Sequence, residues 1–127
     1  MERGLRPLLV LFALSQLAIG FMLWATPGFF YEHVGPFGAR NDHYMGDVAT
    51  FYLALGAAAL VASRRRSWQV PVLGLALLQN ALHALNHLID IDEADPGWLG
   101  PADFVELLLV TALLAWMLAA ARRSVTR

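Results

Sequence analysis

Residues 70–91 read VPVLGLALLQNALHALNHLIDI. This stretch is long enough to cross the roughly 30 Å hydrocarbon core of a bilayer, which takes about 20 helical residues. Its polar residues are not scattered. At about 100° per residue, and with His83 at zero, Gln79, Asn80, Asn86, His87 and Asp90 all fall within about 60° of it on one helical face. Ala81, Leu82, Ala84, Leu85, Leu88 and Ile89 lie between them and suit lipid or neighbouring helices. Polar and ionisable groups are costly at membrane depth, about 2.5 to 3.5 kcal/mol for each charged side chain on insertion scales, so such a stripe is expected to face a bundle interior or a wet cavity.

Three more segments match this one in length and apolar character: Pro7 to Ala25, Gly46 to Ser63, and Pro101 to Ala121. The chain of 127 residues is 58% hydrophobic and 15% charged, with a mean hydropathy of +0.55. These values argue against an ordinary soluble domain and for a single all-α domain spanning 1–127. The first segment follows Arg3 and Arg6 as a signal peptide would, but it is too long for an h-region and lacks a cleavage site, so it is expected to be retained. Thr26-Pro27-Gly28 ends it, Arg64-Arg65-Arg66 ends the second, and Asp95-Pro96-Gly97 separates the third from the fourth. The expected architecture is a polytopic membrane protein, an antiparallel four-helix bundle with a long outer loop over 26–45.

Charge sets the expected orientation. All nine basic residues are arginines, and eight of them (Arg3, Arg6, Arg64, Arg65, Arg66, Arg122, Arg123 and Arg127) fall at one end. With Glu2 they give that end a net +7, while Arg40 and the other nine acids leave −8 at the opposite end, matching the overall charge of −1. The positive-inside rule then puts both termini and the triple-arginine turn in the cytoplasm, with all four histidines at the outer end. Trp24 and Trp98 suit the outer interface, and Trp68 and Trp116 the inner one. The arginines are accounted for by orientation, so nucleic acid is not an expected partner. The lipid bilayer is the expected one, with homodimer or larger-complex contacts open through small residues such as Gly46, Ala49, Gly56 and Gly74.

The candidate site lies at the outer end. His83 and His87 on the third segment, His43 and Asp47 at the start of the second, and Asp103 with Glu106 at the start of the fourth are expected to converge with Asn80, Asn86 and Asp90. Imidazole and carboxylate suit a divalent metal, with His43, Asp47, His83 and His87 as the candidate ligands. The match to known metal helices is partial, because His83-Ala84-Leu85-Asn86-His87 lacks the glutamate base of a zincin. Haem held by His43 and His83, or a small organic ligand or proton pathway, are the other chemical options. A purely structural hydrogen-bond network is the simplest alternative. Ser15 and Gln16 add polar capacity on the first segment, and Phe29, Phe30, Tyr31 and Phe37 suggest an interfacial lid. The absence of cysteine excludes disulfides, iron–sulfur clusters and thiolate zinc.

The proline-glycine exit from the first segment, Arg40-Asn41-Asp42-His43 leading into Gly46-Asp47 and Phe51-Tyr52-Leu53-Ala54-Leu55-Gly56, and the His-bearing third segment together resemble small four-helix membrane proteins of actinobacteria, similar in layout to the DoxX-like superfamily. The lack of lysine beside abundant Ala, Leu and Arg fits a high-GC bacterial genome. The resemblance implies an inner-membrane location and quinone-linked redox chemistry or an accessory role, and it transfers no catalytic residue. Two functions follow as expectations: a pocket for a metal, a quinone-like partner or another small ligand, or a non-enzymatic accessory or assembly subunit of a larger membrane complex.

Overall fold

The computed structural model describes residues 2–125, with side chains from Gly4 to Ser124. The charges of Glu2, Arg3 and Arg127 that enter the end-to-end count lie outside these described side chains. Five helices account for most of the chain: α1 (Glu2–Ala25), α2 (Pro27–His33), α3 (Asp42–Arg64), α4 (Arg66–Ile89) and α5 (Leu99–Val125). No strand forms among the described residues, only an isolated bridge between Phe37 and Ala94. Four of the helices are long and apolar enough to cross a membrane, with mean hydropathies of 2.2, 1.6, 1.3 and 2.2 over their best windows.

Each of the four long helices starts before the apolar segment that marks it in the sequence, while α4 ends at Ile89, two residues short of Ile91. Hydropathy registers only what suits hydrocarbon, whereas a helix continues as long as its backbone groups find partners. At α3 the extension has a specific cause. The Asn41 side chain accepts a 3.1 Å hydrogen bond from the Tyr44 amide, so the helix begins at Asp42, four residues before Gly46. Between α3 and α4 the expected six-residue turn shrinks to Arg65 alone, held extended at φ −121° and ψ 110°. The long loop over 26–45 also gains structure. Pro27 stands at the first position of α2, where its missing N–H costs nothing.

Packing is uneven along the bundle. α1 lies along α3 and α4 along α5, while α1 and α5 touch sparsely. The contact between α1 and α3 is made by small residues. A Cβ on Gly20 would lie 2.9 Å from Leu53 Cγ and 3.1 Å from Ala49 O, and one on Gly56 would lie 2.8 Å from Leu17 Cγ and 3.0 Å from Ala13 O. Close backbone approach of this kind is how helices associate where the surrounding solvent is as apolar as their side chains. One buried cluster then joins Leu5, Leu9 and Ala13 to Leu55, Ala59, Ala62, Leu73, Ala76, Leu114, Met117 and Ala121. It occupies the half nearest the arginines.

The outward surface is apolar. Leu14, Phe21, Leu75, Leu78, Leu82, Leu85, Ile89, Leu108 and Leu109 are all exposed, as are the four tryptophans. Exposed apolar area on this scale exceeds what a monomer in water tolerates and is what a lipid-facing wall requires.

Gly56→Val is expected to pry α1 from α3 and cost about 1–3 kcal/mol, the usual range for overpacking. Gly74→Ala, where a Cβ meets nothing within 4 Å, is expected to be neutral or to stabilise by about 0.5–1 kcal/mol through helix propensity. Unfolding of the two variants in mild detergent checks the contrast.

Candidate functional site

Between the helices lies a cavity of about 590 Å3 that reaches Leu114 and Met117 of the buried cluster. Its apolar end is formed by Leu8, Leu11 and Phe12 of α1 and by Val110, Leu113, Leu114 and Met117 of α5. Ser15, Gln16, Gln79 and Asn80 line its middle, and His83, Asn86, His87, Asp90, Asp103 and Glu106 its polar end. From Asp103 to Met117 the α5 wall of the cavity runs about 20 Å at 1.5 Å per residue. That is an elongated slot rather than a round chamber. Leu11 and Leu113 line it while remaining 65% and 43% exposed, so the slot is open sideways between α1 and α5.

All six residues of the polar stripe on α4 line this cavity. His83 and His87, one turn apart, have their Nε2 atoms 3.1 Å apart with ring centroids at 4.7 Å. A bond between these two nitrogens requires one ring to carry a proton there and the other to be bare. His87 Nδ1 is buried and has no partner among the described residues, and the same is true of Gln16 Oε1. Asn86 donates to Asp90 Oδ2 at 3.1 Å. Asn80, only 7% exposed, donates to Leu107 O at 3.0 Å and to Thr111 Oγ1 at 2.9 Å, so it also ties α4 to α5. Thr111 itself donates to Leu107 O at 2.8 Å.

Asp103 and Glu106 reach the cavity as expected, from the first turns of α5. His43 and Asp47 do not, which corrects the expectation that they complete the pocket. They pair with each other, His43 Nε2 to Asp47 Oδ2 at 3.7 Å, with side chains 91% and 69% exposed. With α3 starting at Asp42, both sit on its outer face, and the face turned to the cavity carries Val48 and Tyr52 instead. The pairing of His43 with His83 that an axial haem site needs is therefore not formed. Among the described residues, no three histidine or carboxylate side chains gather closely enough to hold a metal ion.

The segment after α1 covers the polar end. Phe30, Val34, Gly35 and Phe37 line the cavity, and the Phe37 ring meets His87 edge to face at 4.7 Å. The cover is tied on both sides. The Asp95 amide donates to Pro36 O at 3.3 Å, and the Tyr31 hydroxyl donates to Gly38 O at 2.7 Å. Arg40 donates to both carboxylate oxygens of Asp42, at 2.5 and 2.8 Å, and its guanidinium lies over Gly28, where a Cβ would come within 2.9 Å of Nη1. The hydrogen bond to Asp42 raises the Arg40 pKa above its ordinary value. Phe29 is not part of the cover, since it stacks on His33 at 4.5 Å and remains exposed.

Thr111 and Tyr52 carry no signal in the sequence, each being a single residue in an apolar helix. Gln16 is visible there only as a polar side chain in a long apolar run. The chain matches no protein-family model, no curated protein and no solved structure. The chemistry of the slot therefore carries the functional reading.

Asn80→Ala removes both bonds to α5 and is expected to cost about 1–2 kcal/mol. Asn86→Ala, whose bond stays within α4, is expected to change stability by less than about 0.5 kcal/mol. Chemical unfolding of both variants in the same detergent separates these outcomes.

Proposed function

We propose that this chain is a multi-pass protein of a bacterial plasma membrane that binds a small amphiphilic molecule drawn from the bilayer. The observation that carries the reading is the slot itself. It has an apolar half open to lipid between α1 and α5, and a covered polar half lined by His83, Asn86, His87, Asp90, Asp103 and Glu106. The volume lies within the roughly 300–1,000 Å3 range of small-molecule sites. In this reading the apolar chain lies toward Leu8, Leu114 and Met117, and the head rests beneath Phe37 at the His83–His87 pair.

The same proposal includes an antiparallel bundle with both termini in the cytoplasm. The approach of Gly20 to Ala49 and Leu53, set beside that of Gly56 to Ala13 and Leu17, supports opposite directions for α1 and α3. The arginines at the packed end and the acids at the slotted end support the orientation. The layout shared with DoxX-like proteins is compatible with this arrangement and adds no residue role.

Two experiments test the reading. Protein purified in mild detergent and examined by native mass spectrometry is expected to retain a lipid-sized adduct that His83→Ala/His87→Ala loses while keeping its helical content. An adduct-free wild type, or an adduct equally retained in the double variant, removes the slot as the binding site. Because the chain has no cysteine, orientation is readable from single substitutions. Gly97→Cys should react with a membrane-impermeant maleimide in intact cells, and Ser67→Cys only after permeabilisation. The opposite pattern inverts the topology.

A further inference from the structure

His83 and His87 stand one turn apart on α4, and their Nε2 atoms are 3.1 Å apart. Residues at i and i+4 of a helix are neighbours, so the α4 backbone alone brings the two rings together. Both rings are partly buried and line the slot, and Phe37 closes on His87 edge to face at 4.7 Å. No arginine lines the slot, so no fixed cation stands beside the pair.

The spacing has a meaning beyond the hydrogen bond between the rings. Imidazole nitrogens bind zinc at about 2.0–2.1 Å. Two nitrogens 3.1 Å apart that both reach an ion at that distance subtend about 95–102° at it. The angle falls between the roughly 90° of neighbouring positions in a square-planar or octahedral sphere and the roughly 109° of a tetrahedral one. The pair therefore already stands at chelating distance, and an incoming ion displaces one ring-to-ring hydrogen bond. The rings have only to turn until both lone pairs converge, and each then carries its proton on Nδ1.

We propose that His83 and His87 form a two-imidazole site for a late first-row divalent cation, of the zinc and copper(II) class, at the polar end of the slot. This goes beyond the amphiphile reading and does not depend on it. Imidazole suits zinc, copper and nickel, whereas magnesium and calcium take oxygen ligands. Two donors are fewer than the three or four of a self-contained site, and no third histidine or carboxylate gathers with them among the described residues. His87 Nδ1 also lacks the acceptor that orients a metal-bound ring in a tight site. Both features point to micromolar, exchangeable binding, with water or the head of an occupant completing the sphere. Asp90 and Asp103 line the same end and add negative potential without entering that sphere.

The test uses the untagged full chain in mild detergent, stripped of metal with a chelator and titrated with zinc chloride or copper(II) chloride. One ion per chain is expected, with copper(II) tighter than zinc. His83→Gln and His87→Gln are each expected to weaken zinc at least tenfold. His43→Ala, at the exposed pair with Asp47, is expected to leave the affinity unchanged, and a large excess of magnesium or calcium to displace nothing. The paramagnetic resonance spectrum of the copper(II) form is expected to show two coupled imidazole nitrogens, and one in either glutamine variant. The proposal falls if no stoichiometric ion binds, if either glutamine variant keeps the full affinity, or if His43→Ala removes the ion. Fewer than two coupled nitrogens in the unmodified protein overturns it even if neither variant folds. The lipid-sized adduct is read in metal-free protein, so the amphiphile reading and the metal site can each fail alone.

Discussion

The close approach of α1 to α3 is the constraint on which the rest of the bundle depends. With lipid outside as apolar as the side chains inside, there is little hydrophobic drive to hold two helices together, and contact has to come from backbones that fit. Gly20 and Gly56 allow that fit, and α1 is drawn along α3 rather than along α5. The slot is what α1 leaves behind. It forms where α1 and α5 touch only sparsely, and its apolar end runs alongside the buried cluster, whose Leu114 and Met117 line it.

From that division the two halves acquire different chemistry. The packed half is made almost wholly of Leu, Ala, Val and Met, and its rigidity comes from filled volume. The slotted half relies on polar bonds between elements: Asn80 across to α5 and Asp95 to Pro36 over the mouth. A polar residue such as Asn80 thus serves both as a cross-tie and as lining, and its position on the stripe does not separate the two roles.

What could be read from the sequence divides along physical lines. The four long helices are legible because crossing hydrocarbon demands an apolar run, and the stripe is legible because six polar residues keep helical phase from Gln79 to Asp90. Each of the six lines the slot. The placing of His43 and Asp47 is not legible in the same way. It turns on where α3 starts, and so on a single side-chain bond from Asn41 that hydropathy does not register. Small residues show a similar limit. Gly56 and Ala49 pack against α1, whereas Gly46 and Gly74 face open space, and the difference lies in the partner helix rather than in the residue. Gln16 shows the limit most clearly, since its significance comes from a missing partner, which only the assembled walls reveal.

On the proposed reading, the sideways opening between Leu11 and Leu113 changes what affinity would mean for this protein. An occupant arriving through it never crosses bulk water, so the quantity it responds to is its mole fraction in the membrane. A hydrocarbon chain gains about 0.8 kcal/mol per buried CH2 simply by entering the bilayer, and that gain is already made before it reaches the slot. The walls would then need only to distinguish one dissolved lipid from its neighbours, a task for the head group rather than the tail. A modest intrinsic preference then suffices for high occupancy, and the same protein would show different apparent constants in membranes of different lipid content.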